Sequence, residues 1–269
     1  ARLRRAMRSS RHALPLALAA AALALCLPAR ARAGNDDGVL LGNDAAMTGG
    51  AVTAVVADGS GTWYNPAGLA AMQRGAVDVS GSALQVRAAE EGGLIRATTG
   101  ESNDGGYLEL VSIPSAVTLA RRLEPGLVLA FGVFASRFAQ NTTRTRLDAG
   151  VAPRRARWTL SSAQSRATYH AGGALGVRLS DQLRLGVSLF GVYRERYDSF
   201  QTAGLFELGP DESRLVARGG IAEVRALGAE LGVGLQWEPH PGTVIGVSAR
   251  SPSLELFTQL RRTTTEIGR

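Results

Sequence analysis

Over much of residues 77–260 the chain alternates oily and polar positions with a period of two. The clearest run is 227–238. There Leu227, Ala229, Leu231, Val233, Leu235 and Trp237 fall on one side, and Gly228, Glu230, Gly232, Gly234, Gln236 and Glu238 on the other. Residues 183–193 repeat it, with Leu183, Leu185, Val187, Leu189 and Tyr193 against Arg184, Gly186 and Ser188, until Phe190 and Val192 blur the second face. Successive side chains of a strand point to opposite sides, so each run predicts a strand with one apolar and one polar or glycine-lined face. Segments 77–87, 107–120, 127–138, 158–179 and 243–260 carry the pattern less cleanly, which makes about seven strands.

The connections alternate too. Glu124-Pro125-Gly126, Ser180-Asp181-Gln182 and Pro239-His240-Pro241-Gly242 are short, whereas 88–106, 139–157 and 197–224 are polar and read as long loops. Short turns at one rim and long loops at the other predict an all-β fold, a transmembrane antiparallel β-barrel whose Leu and Val faces point outward. A soluble β-sandwich shares the alternation. Against it stand the Arg and Glu residues opposite the Leu and Val face, the many strand glycines, and Trp237 and Tyr193 near strand ends.

Upstream the pattern changes twice. Residues 1–33 have a basic start up to Arg11, an apolar run from 13 to 27 and a small-x-small end at Ala31-Arg32-Ala33. This predicts a signal peptide cleaved after Ala33; an apolar run of about 15 residues falls short of the roughly 20 that span a bilayer as a helix. Residues 34–75 are rich in Gly, Ala, Asp and Asn. Ala45, Ala46, Gly49, Val52 and Val56 could share one helical face, which Gly49-Gly50 interrupts. Pro66 pushes Asn65 into an extended conformation, and Gly68 is expected to let the chain reverse. The segment needs walls around it.

The order Gly49-Gly50-Ala51, then Asp58 in a small-residue run, then Trp63-Tyr64-Asn65-Pro66-Ala67-Gly68-Leu69 resembles the N-terminal hatch of the FadL family of outer-membrane transporters. The block Leu235-Gln236-Trp237-Glu238-Pro239, followed by Gly246-Val247-Ser248-Ala249-Arg250-Ser251-Pro252, also resembles a strand–turn–strand unit of that family. The resemblance implies passive transport of long-chain fatty acids or other hydrophobic compounds across the bacterial outer membrane, with a hatch over 34–75 and barrel strands over 76–269. It implies that Asn65, Pro66 and Ala67 form the transport motif, supported by Gly49, Gly50, Asp58, Trp63 and Gly68, and that substrate leaves sideways through a break in the wall. Pro114 would remove a ladder hydrogen bond and marks a candidate irregularity. Family barrels have about fourteen strands, so residues 76–269 are expected to supply about the first half of one. The alternative function is a non-transporting surface barrel: a structural protein, adhesin or receptor.

The net charge of +7 changes little in this picture. Seven of the basic residues are the leader's arginines, which leaves 23 basic against 23 acidic residues, so no nucleic-acid partner is expected. The expected partners are hydrophobic small molecules and outer-membrane lipids. Cys26, the one cysteine, lies in the leader, so the remainder has no thiol for disulfides or metal sites.

Candidate chemistry is sparse, and neither an enzyme nor a cofactor is expected. His240 sits between prolines; His170 has Ser161, Ser162 and Ser165 upstream, without a motif that fixes a nucleophile. Asp36-Asp37 and Asp44 read as solvated acids, Gly59-Ser60-Gly61 lacks the Lys of a phosphate loop, and Arg154-Arg155-Ala156-Arg157-Trp158 reads as a solvated basic loop.

Overall fold

A computed structural model describes residues 41–97, 100–151, 154–209 and 212–268. The leader, Cys26 and Asp36-Asp37 lie outside the described residues. The chain builds one antiparallel sheet: β1 (Ala76–Arg96), β2 (Ser102–Glu124), β3 (Leu127–Val151), β4 (Arg154–Arg178), β5 (Leu183–Gly209), β6 (Glu212–His240), β7 (Thr243–Arg250) and β8 (Leu254–Gly268). The order is sequential through β7, and β8 pairs β6 beyond the end of β7. The eight strands therefore occupy seven positions. Ser251-Pro252-Ser253 interrupts the seventh, within the segment expected as one strand. Proline has no N–H to give the ladder, which accounts for a break at that place.

The alternation sorts the two faces as the period requires. Registers align Val77, Leu119, Phe131, Gly173, Leu189 and Leu231 in one row across six strands, and Leu127, Val177, Leu185, Leu235 and Val247 in another. On this face Leu189 is 60% and Phe131 56% exposed. The opposite face holds rows of small residues. Ala76, Ala120, Ala130, Ala174, Ser188 and Gly232 align in one. Val128, Gly176, Gly186, Gly234 and Ser248 align in the next.

The segments 88–106, 139–157 and 197–224, expected as loops, are mostly strand, and this reading is corrected. Polar residues pair through their backbones as well as apolar ones do. The β3–β4 ladder runs from Leu127–Val177 to Val151–Arg154. Cross-strand charges support the extension. Asp148 accepts across the ladder from Arg157 at 2.9 Å, and also from Arg146 of its own strand at 3.0 Å; Arg225 pairs across the ladder with Glu195 at 3.5 Å. The basic cluster at 154–158 opens β4, with Trp158 edge-on to Phe206 at 5.4 Å.

One ladder does not extend. β2 and β3 pair only from Ala116–Phe134 to Glu124–Leu127, although both strands continue past Ala116 and Phe134. Irregularities mark the fork on both sides. Near Pro114, which faces Gly81, the β1–β2 register shifts; on β3 a bulge falls at Ser136, between Ala135 and Arg137. Farther along, the two strands meet again through side chains, with Thr145 Oγ1 donating to the Asp104 carbonyl at 3.1 Å. The result is a gap in the β2–β3 ladder, called the slot below.

The Asp148 cluster yields a pH prediction. Hydrogen bonds from Arg157 and then Arg146 hold its carboxyl below the usual carboxylate range. A depressed folded-state pKa stabilises the hairpin end above the unfolded-state value, about 3.9, and that support is lost as pH falls through the folded value. After correction for the intrinsic exchange rate, amide protection along 144–150 is expected to fall modestly on acidification and in high salt, and Asp148→Asn to abolish that acid dependence. Equal profiles for both proteins would remove the ion pairs from this account.

Candidate functional site

Residues 41–72 lie across the small-residue face of the sheet. They hold α1 (Asn43–Thr48), α2 (Gly61–Tyr64) and a 3-10 helix, Pro66–Ala71. α1 ends because Gly49 takes the left-handed conformation, φ 62°, and Gly50 N–H then bonds back to the Ala45 carbonyl. The helical face expected past Gly49 is not continuous, yet Ala45, Val52 and Val56 still gather into one buried cluster with Tyr64. Asp58 Oδ1 accepts from the Ser60 N–H and hydroxyl, which shapes the entry to α2.

Asn65 is the hub. It is fully buried and extended, φ −157°, as the following proline demands. Its Oδ1 accepts from Ala67 N–H at 3.1 Å, capping the 3-10 helix, while Nδ2 donates to the Thr53 carbonyl at 2.7 Å and the Leu235 carbonyl at 3.1 Å. Both donors and the acceptor are used, and they join two parts of the segment to β6. Gln236 returns the tie, donating to the Val56 carbonyl at 3.2 Å.

The sheet meets this hub with glycine. Gly176, Gly186 and Gly234 are direct cross-strand neighbours on β4, β5 and β6. A methyl on Gly176 would stand 2.8 Å from the Pro66 oxygen; one on Gly186 would overlap the Pro66–Ala67 peptide; one on Gly234 would overlap the Asn65 amide. Gly246 on β7 makes the same allowance for Thr53 and Ala54. Gly68 was expected to reverse the chain. It lies inside the 3-10 helix without positive φ, and its role is close approach, because a Cβ there would overlap the Val56 carbonyl.

Trp63 fills the space beside the slot. Its ring packs at 5.2 Å from Phe134, 5.8 Å from Phe190 and 4.8 Å from His170, and Leu41 and Ala116 complete the cluster. Phe134 is the last β3 residue paired to β2, so Trp63 sits at the mouth of the fork. A polar chain, buried from Ser136 to Glu230, lies beside it. Ser136 Oγ is 3.2 Å from His170 Nδ1, His170 Nε2 is 3.3 Å from Glu230, and Arg194 bonds Glu230 at 3.2 Å and reaches Glu255 at 3.7 Å. Ser136 keeps the inward parity of Val128, Ala130 and Phe134, and the bulge leaves it unpaired and shifts that parity beyond it, to Thr145 and Leu147. This order of groups is that of a nucleophile, a base and an acid. Here all three are buried, with the imidazole covered by Trp63, and the arrangement links β3, β4 and β6 at the fork.

The structure thus gathers Asp58, Trp63, Asn65, Pro66, Ala67 and Gly68 onto one face of the sheet. Gly49 is exposed and serves α1 alone, and Pro114 lies at the slot rather than at the hub. The Gly59-Ser60-Gly61 loop already holds an internal anion, since Gly59 N–H donates to Asp78 of β1 at 3.1 Å. His170 pairs with Ser136 rather than with Ser161, Ser162 or Ser165, and His240 is exposed at the end of β6. A cavity of about 610 Å³ farther along the strands, lined by Arg144, Arg146, Thr159, Gln201, Arg218 and Thr265 among others, involves none of the expected site residues. Neither a protein-family model nor a curated protein matches the chain.

Two substitutions separate the contributions to the hub. Asn65→Ala leaves the Thr53 and Leu235 carbonyls and the Ala67 N–H without their partner, at about 1–3 kcal/mol for each group left unsatisfied. Gly186→Ala overpacks the contact, a change that typically costs about 1–3 kcal/mol. Both are expected to speed proteolysis within 41–72 while the sheet keeps its strand content by circular dichroism. Asn65→Asp, which keeps the acceptor but buries a carboxylate against the Thr53 and Leu235 carbonyls, should be at least as disruptive as Asn65→Ala. Unchanged proteolysis in all three would show that the segment is held elsewhere.

Proposed function

We propose that this chain forms outer-membrane barrel wall around an internal plug, residues 41–72, and passes hydrophobic molecules such as long-chain fatty acids or hydrocarbons. The observation that carries the reading is the inversion of the sheet: its uncovered face is apolar, while its covered face holds Glu230, His170, Gln236 and Ser188. Contiguous apolar surface of this extent is rare on a protein surrounded by water. Lipid as the solvent resolves it. The apolar band spans 169–177 on β4, 183–193 on β5 and 227–237 on β6, close to the 9–11 residues that a tilted strand needs to cross a bilayer. Tyr169 and Tyr193, stacked at 6.4 Å, mark one border and Trp237 the other, as an interfacial girdle would.

Transport then follows from the plug. A hydrocarbon chain gains roughly 0.8 kcal/mol for each methylene buried, so the aromatic cluster around Trp63, Phe134 and Phe190 captures it. Release needs that cluster to open. The slot between β2 and β3, beside Trp63, offers a sideways exit into the membrane, consistent with the resemblance of the Asn65-Pro66-Ala67 segment to the FadL hatch. The polar continuation of β3 to β6 beyond the apolar band favours a second reading, a surface barrel whose hairpins act as an adhesin or receptor.

Two measurements test this reading in the full chain, reconstituted in vesicles. A lipid-soluble photoprobe is expected to label a cysteine at Val233 and spare one at Gly232; the reverse pattern would place the wrong face in lipid. Asn65→Ala and Pro66→Ala should change uptake of a labelled fatty acid severalfold while the protein still assembles. Assembly with wild-type uptake in both variants would favour the surface-barrel reading.

A further inference from the structure

The seventh strand position is tied to the plug at the point where it breaks. Arg250 is the last residue of β7, facing Gly232, and the ladder resumes only at Leu254, facing Ala229. Across the gap one residue of β6 keeps its partners: Ser251 N–H donates to the Leu231 carbonyl at 2.8 Å, and Leu231 N–H to Ser251 Oγ at 3.0 Å. Pro252 has no donor, and Ser253 Oγ is buried without a partner among the described residues. The wall here is held by two hydrogen bonds where an intact strand would have a continuous ladder.

Arg250 spans from this weak point to Trp63. Its guanidinium donates to the Trp63 carbonyl at 2.6 Å and lies 3.7 Å from the centre of the indole ring. Two other arginines of the sheet, Arg122 donating to the Gln73 carbonyl and Arg178 to the Ala70 carbonyl, hold the end of the segment, where it runs into β1. Arg250 alone of the three holds the residue that stands at the slot. A network of charged groups from four strands lies beside it: His170 on β4 and Arg194 on β5 pair with Glu230 on β6, and Arg194 reaches Glu255 on β8. Arg250 also lies within Coulombic reach of Glu230. That carboxylate gives the guanidinium a second resting place, so it can leave Trp63 without becoming an isolated charge.

We propose that Arg250 is a positioning residue, a clasp that keeps Trp63 closed against Phe134 at the slot, and that the interruption at Ser251-Pro252-Ser253 is the hinge that lets it release. This rests on the reading of residues 41–72 as a transport plug and adds how that plug is held shut. A cation over an indole and a charged hydrogen bond to the same residue's carbonyl act together, so losing both shifts the closed state toward the open one by more than either alone. Lysine retains the charge and loses the planar stack and the fork of donors.

The test is plug accessibility in the full chain, with Cys26→Ser and Thr62→Cys, so that the one thiol lies at a fully buried plug position beside Trp63. A membrane-impermeant maleimide is expected to label it slowly in this background and about tenfold faster or more with Arg250→Gln, with Arg250→Lys intermediate. Trp63→Leu should raise the rate similarly, and adding Arg250→Gln to it should raise it little further. Equal rates across assembled variants overturn the clasp; should Arg250→Gln fail to assemble, Arg250→Lys and the Trp63→Leu background decide. If labelling responds to Arg250 while no variant takes up fatty acid, the clasp stands and the transport reading falls. If uptake responds to Asn65→Ala while labelling ignores Arg250, the reverse holds.

Discussion

The backbone of Pro66 and Ala67 rests on glycine, and most of the structure on the covered face depends on that approach. With Gly186 below and Gly176 and Gly234 beside it, the segment sits low enough for Asn65 to reach the Leu235 carbonyl and for Gln236 to reach Val56. The same height puts Trp63 into its pocket between Phe134, Phe190 and His170. Side chains on the three glycines would hold the two backbones apart, and those hydrogen bonds would be lost together. Contact is therefore set by what the sheet lacks, while direction is set by the amide of Asn65.

Polarity follows from the same arrangement. Covering a sheet face with backbone-rich helical turns presents it with carbonyls, and the face answers with donors: Gln236 to Val56, Arg178 to Ala70, Arg250 to Trp63. Where no carbonyl is presented, the sheet pairs its own groups, as in the run from Ser136 through His170 and Glu230 to Arg194. A buried charge is costly unless paired, and this run lies where the β2–β3 ladder stops and backbone bonds no longer join the two strands.

The period-two pattern made the faces legible before any coordinates: the odd positions of 227–237 are uncovered and the even ones covered. The proline rule likewise anticipated an extended Asn65. The polar extensions were misread as loops because a strand polar on both sides has no oily face to announce it. Glycine's purpose was hidden for another reason. Gly176, Gly186 and Gly234 become neighbours only through register, which spacing along the chain does not encode. Ser136, His170 and Glu230, on three different strands, were hidden in the same way. The break in the seventh strand did leave a signal, since Pro252 lies inside a segment that otherwise reads as continuous.

The long hairpins also order events in time. β3 with β4, and β5 with β6, pair from their connections outward, so each rung closes a short additional loop and local contacts form early. The ties of residues 41–72 are of the other kind: Asn65 meets Leu235 across 170 residues and Gln236 meets Val56 across 180. Their loop entropy is repaid only when the glycine row already exists as a surface, and that row needs β4, β5 and β6 in register. The segment that precedes the strands along the chain is therefore the one that docks last. Until then its apolar residues, Val52, Val56, Trp63 and Leu69 among them, remain uncovered, which makes this stretch the one most in need of protection between synthesis and assembly.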